Sequence, residues 1–209
     1  MGRFIVAVVM VGVLGGCGDS PEAARARDEA KKAAEQAFAQ GYGAARLEDI
    51  AAAAGIRRPS LLYHFASKDS LYAAVVHRTF ARLGAALMTA MAGRLAFAER
   101  VDAVVDTYAS FLADNPAHAQ ILVRELVDAQ GPGRDILLGE VVPLLDVLER
   151  FLRVEGLALL RPGLPVRAAI LQLASAIILR SASGALQQPL WGPIDHARAL
   201  ARLLLFKEV

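Results

Sequence analysis

The residues whose types and spacing could do chemistry concentrate between Arg46 and Lys68. Around a short helical segment there, Leu61, Leu62 and Phe65 share one side and leave Arg58, Ser60, Tyr63 and His64 to face outward. Arginine reads guanine edges or phosphates, serine and tyrosine hydroxyls bond phosphate oxygens, and an aromatic ring can touch a thymine methyl. From Ala54 to Lys68 the charged residues are Arg57, Arg58 and Lys68, with no acid among them. The net charge of the whole chain is only +2, so any polyanion-binding surface must be local. The alternative is a plain helical hairpin whose exposed residues are merely solvated. Catalytic chemistry finds less support. His64, His77, His118 and His196 are far apart, no His-x-x-x-His or Glu-x-x-His pair occurs, and Cys17 is the single cysteine. No enzyme activity, metal or cofactor is expected.

The elements that must position these side chains are helices. At 209 residues and 56% hydrophobic, the chain can bury one or two ordinary cores. Ala, Leu, Arg and Glu dominate from Pro21 onward, and no β-branched alternation lasts long enough for a strand, which predicts an all-α fold. A first helix starts at Pro21 and stops at Gly41, with Ala30, Ala33, Ala34, Ala37 and Phe38 on one apolar face. A second places Leu47, Ile50, Ala51 and Ala54 at i, i+3, i+4 and i+7 and is broken by Gly55. A third begins near Arg57 with Pro59 in its first turn, and Ser67 caps a fourth that runs past Leu87. Further helices are predicted over about 96–113, 116–129, 135–154, 166–186 and 194–206, punctuated by Asn115-Pro116, Pro162-Gly163 and Gly192-Pro193.

Two short helices joined by a Gly turn, with another packed behind, make a helix-turn-helix unit. Gly41-Tyr42, Leu47-Glu48-Asp49-Ile50-Ala51, Ala54-Gly55-Ile56, Leu61-Leu62-Tyr63-His64-Phe65 and Ser67-Lys68-Asp69-Ser70-Leu71 together resemble the DNA-binding region of the TetR family of bacterial transcriptional regulators. The resemblance spans roughly Arg27 to Leu71. It implies an N-terminal three-helix domain followed by a C-terminal antiparallel helical bundle. It also implies a homodimer on a palindromic duplex-DNA operator, usually a repressor released by a small molecule, here expected to be apolar. By position Tyr63 and Lys68 match family residues that contact the DNA backbone, and Arg57, Arg58, Pro59 and Ser60 match the start of the recognition helix. Leu62 stands where the family commonly has a tyrosine. Arg46 and Arg57 replace the usual Ser or Thr caps, and either could meet a phosphate instead.

The remaining helices carry no comparable motif. Tyr108, Phe111, His118, Arg124, Glu125 and Trp191 are polar or aromatic residues on otherwise apolar helices that could line an effector pocket. Core or surface-pair roles are the alternative for each. The stretch 166–186 is apolar around much of its circumference, and Ala197, Leu200, Ala201 and Leu204 form another stripe. Such a helix either fills the centre of the monomer or packs on a second subunit. The resemblance favours a dimer interface through Ile170, Ala174, Ile178, Ala197, Leu200 and Leu204.

Residues 1–20 conflict with this reading. One arginine, the apolar run Phe4 to Leu14 and Leu14-Gly15-Gly16-Cys17 have the order of a secretory signal with a lipobox, which would make an envelope lipoprotein. The run is shorter than the roughly 20 residues needed to span a bilayer. A chromosome reader cannot be anchored outside the membrane, so the expectation is a cytoplasmic protein without stable membrane association, with translation starting inside the run, at Met10 or at a Val codon used as a start. The expected organisation is a signal-like segment at 1–20, a DNA-binding domain at 21–69 and an effector and dimerisation domain at 70–209.

Overall fold

The computed structural model describes residues 20–127 and 133–207. Within them the chain folds into ten α-helices, one 3₁₀ turn and no strand longer than an isolated bridge. Helix α1, Pro21–Ala39, starts on Ser20, whose hydroxyl accepts from Ala23 N at 3.2 Å. Ala30, Ala34 and Phe38 are its buried side, as their spacing predicts. Gly41, at φ +123°, turns the chain in a conformation that other residues rarely adopt. Helix α2, Leu47–Ala53, and helix α3, Arg58–His64, follow, separated by Gly55 at φ +70°. Ile50, Ala51, Leu61 and Phe65 close the small core between α1, α2 and α3.

Helix α4, Lys68–Met91, is fixed at its start by reciprocal bonds of 3.0 Å between Ser67 and Ser70, each hydroxyl meeting the other's backbone N–H. It runs unbroken out of the N-terminal unit, through residues 69 and 70, into the second half of the molecule. That half contains α5 (Phe97–Asp114), α6 (Pro116–Val127), α7 (Arg134–Glu155), α8 (Val166–Ala182), α9 (Gln187–Trp191) and α10 (Ala197–Leu205). Ion pairs tie neighbours together: Arg202 on Asp102 and Arg198 on Asp106 hold α10 to α5, and Arg167 on Asp146 and Glu149 holds α8 to α7. A bridge between Leu160 and Phe206, with Arg161 N donating to Leu205 O at 2.9 Å, pins the end of the chain.

Two helix limits differ from the sequence expectation. The predicted helix 166–186 ends at Ala182, because Gly184 takes φ +53° in a 3₁₀ turn, Gly184–Leu186, before the short α9. The final helix starts at Ala197, with Asp195 accepting from its backbone N–H, and not at 194. Among the described residues no single helix is long and apolar enough to cross a membrane, and α8 taken with Gly184–Trp191 is bent by 110°. The signal-like run, including Met10 and Cys17, lies outside the described residues.

Candidate functional site

The outward side of the N-terminal unit is built by α3 and the two helix starts beside it. Tyr63 is 84% exposed, and Arg57, Arg58 and Pro59 are exposed around the first turn of α3. Arg46 and Arg57 occupy the N-cap positions of α2 and α3 with extended backbone and no capping bond from the side chain, and among the described residues neither is ion-paired. Their guanidinium groups are therefore available to an incoming anion. Lys68, at the start of α4, lies 4.4 Å from the centre of the Tyr42 ring. That ring is held by stacking on Phe38 and by its hydroxyl donating to Asp69. Burial, with the Asp69 carboxylate beside it, pushes the Tyr42 phenol up to about 12. The ring stays neutral and fixes where Lys68 points.

Four expectations change. Arg58 is not free: its Nε is 2.9 Å from Glu48 Oε1, so an acid ten residues earlier comes back to α3 and dilutes the positive field. Leu62 is only half-buried, while Leu61 and Phe65 are buried. His64 is also half-buried, and its Nδ1 is shut away without a partner, so only part of that ring can face outward. Ser60 is half-buried as well.

The second candidate site is a cavity of about 260 Å³ enclosed by α4, α5, α6, α7 and α8. Phe80, Leu83 and Leu87 line it from α4, Val101, Val105 and Tyr108 from α5, Leu122 and Leu126 from α6 and Ile177 and Ile178 from α8, with leucines of α7 opposite. Of the polar and aromatic residues expected in a pocket, only Tyr108 is there. Phe111 stacks on His118, ring centres 5.9 Å apart, away from the cavity. His118 is buried at the junction with α1, its Nε2 3.4 Å from Glu35 Oε2 but without hydrogen-bond geometry. Arg124 Nε donates to Ala39 O, at the end of α1, at 3.1 Å. Glu125 accepts a 2.5 Å bond from the Tyr72 hydroxyl of α4. Trp191 lies on α9, outside the lining. The lining was hard to see in the sequence because aliphatic residues around a void have the same pattern as aliphatic residues in a core.

Ile170, Ala174 and Ile178, expected at a subunit interface, turn towards this cavity. Ala197 and Leu204 are half-buried against the monomer's own core. Only Leu200 of the expected set is exposed, at 51%. Leu179 on α8 and Leu203 on α10 are also exposed, at 52% and 65%. Among the described residues no group of three or more His, Cys, Asp or Glu comes together as a metal site.

Residues 31–75, which hold the second half of α1, all of α2 and α3 and the start of α4, match the family of bacterial regulatory proteins of tetR type. This region belongs to the tetR family. Two relatives, each an uncharacterized HTH-type transcriptional regulator of Mycobacterium tuberculosis, are 38% identical over 95 residues, 45% of this chain and 47% of theirs. The match thus spans about half the length of those relatives. The fold of the described residues is TetR-like. The fatty acid degradation regulator FadR of Bacillus halodurans superposes with a TM-score of 0.74 at 18% identity, over 90% of this chain and 96% of that one. FadR of Bacillus subtilis, solved in complex with stearoyl-CoA, gives 0.71 at 17% identity over 85% and 97%.

Proposed function

We propose that the chain is a ligand-responsive transcriptional regulator that binds a palindromic DNA site as a homodimer and is released by an apolar effector. The observation that carries this reading is the exposed face of α3 in a tetR-type helix-turn-helix. Unpaired Arg57 at the start of α3, exposed Tyr63 near its end and ring-supported Lys68 at the start of α4 are the groups that would meet the duplex. One short helix reads few base pairs, and a two-fold dimer doubles the site. The outer leucines Leu179, Leu200 and Leu203 supply an apolar face for that dimer.

The domains divide at the start of α4, with residues 21–69 for DNA and 70–209 for effector and dimer contacts. Effector response follows from α6. Its Leu122 and Leu126 line the cavity, while its neighbours Arg124 and Glu125 hold the end of α1 and the start of α4. Ligand binding that favours a shifted α6 shifts the DNA-reading unit with it. The stearoyl-CoA held by one structural neighbour supports an effector with a long hydrocarbon part. The reading is of a binding protein, not an enzyme, acting in the cytoplasm where the chromosome is. Selection from random duplexes with the full chain should return an inverted repeat. A folded protein that enriches no motif refutes it.

A further inference from the structure

Four tyrosines occur in the chain, and three have an evident use. Tyr63 is exposed on α3, Tyr42 donates to Asp69 and Tyr72 donates to Glu125. Tyr108 is different. It lines the cavity, and among the described residues its hydroxyl has no hydrogen-bond partner. A hydroxyl left without a protein partner among such walls is free to donate to whatever fills the cavity. Burial alone pushes its phenol well above the ordinary tyrosine value, which keeps it a neutral donor throughout the physiological range.

The rest of the lining sets the charge of the occupant. Among the described residues no Lys, Arg, His, Asp or Glu lines the cavity, and the other polar lining residue, Ser175, is at the exposed rim with Leu126, Leu138 and Leu171. An ion placed inside would lose its hydration and find no counter-charge. A pure hydrocarbon would satisfy the walls and leave the Tyr108 hydroxyl unmet.

We propose that the cavity takes an uncharged, mostly hydrocarbon molecule with one carbonyl oxygen, as in a fatty ester, and that Tyr108 selects it by donating a hydrogen bond to that oxygen. This rests on the reading of the cavity as the effector site and narrows its chemistry: a free carboxylate is rejected, and any charged group stays outside the rim. Tyr108 is the specificity-determining residue.

The test is displacement of a neutral fluorescent dye from the full-length protein by methyl laurate, laurate and decane, in wild type and Tyr108→Phe. Methyl laurate should bind the wild type more tightly than either of the others. Tyr108→Phe should weaken the ester by roughly 2- to 12-fold, the worth of one neutral hydrogen bond, and leave decane unchanged. The proposal is overturned by laurate binding as tightly as its ester, by an ester affinity indifferent to Tyr108→Phe, or by no displacement at all. The wild-type comparison needs no variant to fold. Operator affinity is measured separately with and without ester. Tyr108-dependent ester binding that leaves DNA affinity unchanged supports the ligand assignment and removes the regulatory role.

Discussion

The bond between Tyr72 and Glu125 ties the first turns of α4 to α6, next to the junction of the two halves of the molecule, and deleting its hydroxyl has a calculable effect. Tyr72 is 2% and Glu125 9% exposed, and the hydroxyl meets Oε1 at 2.5 Å while Oε2 has no partner. Tyr72→Phe keeps the ring, with its edge contact to Phe38 at 4.8 Å, and removes the one bond to a buried carboxylate. Bonds to charged groups contribute about 1.5–3 kcal/mol. At roughly 2–4 °C per kcal/mol for a chain of this size, the thermal midpoint should fall by about 3–12 °C. In a Glu125→Gln background the acceptor is a neutral amide, and the same substitution should cost only about 0.5–1.5 kcal/mol. Urea unfolding followed by circular dichroism, at one fixed protomer concentration, gives all four corners of the cycle. A Tyr72→Phe effect below about 0.5 kcal/mol, or one of equal size in both backgrounds, would refute the charged-acceptor argument.

Lys68→Ala should weaken DNA binding and lower the log-log salt slope by about 0.9, whereas Tyr63→Phe should weaken binding with the slope nearly unchanged; titrations at several salt concentrations separate them. Leu200→Glu together with Leu203→Glu should give monomers of unchanged helicity in sedimentation, while Ile178→Glu, aimed into the cavity, should lower the unfolding midpoint instead. Gly133→Ala should destabilise, since its Cβ would lie 2.5 Å from the Glu125 carboxyl and 2.8 Å from the Tyr72 ring; an unchanged midpoint would show that pair to be loosely held. Tyr42 loses its proton near 10 when unfolded and near 12 when folded, so its contribution is complete below about pH 10 and lost as pH rises to about 12, and Tyr42→Phe should flatten that part of the stability profile.

Much of this molecule is legible in the sequence because its signals are local. Gly41 and Gly55 stop helices by adopting positive φ, Ser67 caps α4, and the helical spacing of Leu47, Ile50 and Ala51 on α2, and of Leu61 and Phe65 along α3 to its C-cap, points them inward. What depends on the return of distant chain is not legible. Glu48 reaches Arg58 only once α2 and α3 are folded together. Helix α8 shows the limit of periodicity most clearly. Ile170, Ala174 and Ile178 form one stripe, and Leu171, Ser175 and Leu179 form another a single residue, or about 100°, further round. With both stripes largely apolar, nothing in the spacing says that the first fills the monomer and that Leu179 on the second faces outward. Gly184 ends this helix, yet the Ala, Leu and Gln residues around it are all good helix formers.

The polar residues expected in the pocket share a physical logic in where they went instead. His118, Arg124 and Glu125 all lie on α6 and all meet α1 or α4, while Leu122 and Leu126 of the same helix line the cavity on an adjacent stripe. Apolar contacts tolerate small displacements, because dispersion is shallow and undirected. Hydrogen bonds do not, since they weaken steeply with angle and a buried group that loses its partner keeps the full desolvation penalty. In the proposed regulator, an effector in the cavity that displaces α6 is felt first in the bonds of that helix to Ala39 and Tyr72. On that proposal the apolar lining and the polar contacts of α6 act together, and the response rests on the bonds of Arg124 and Glu125 rather than on the walls of the cavity.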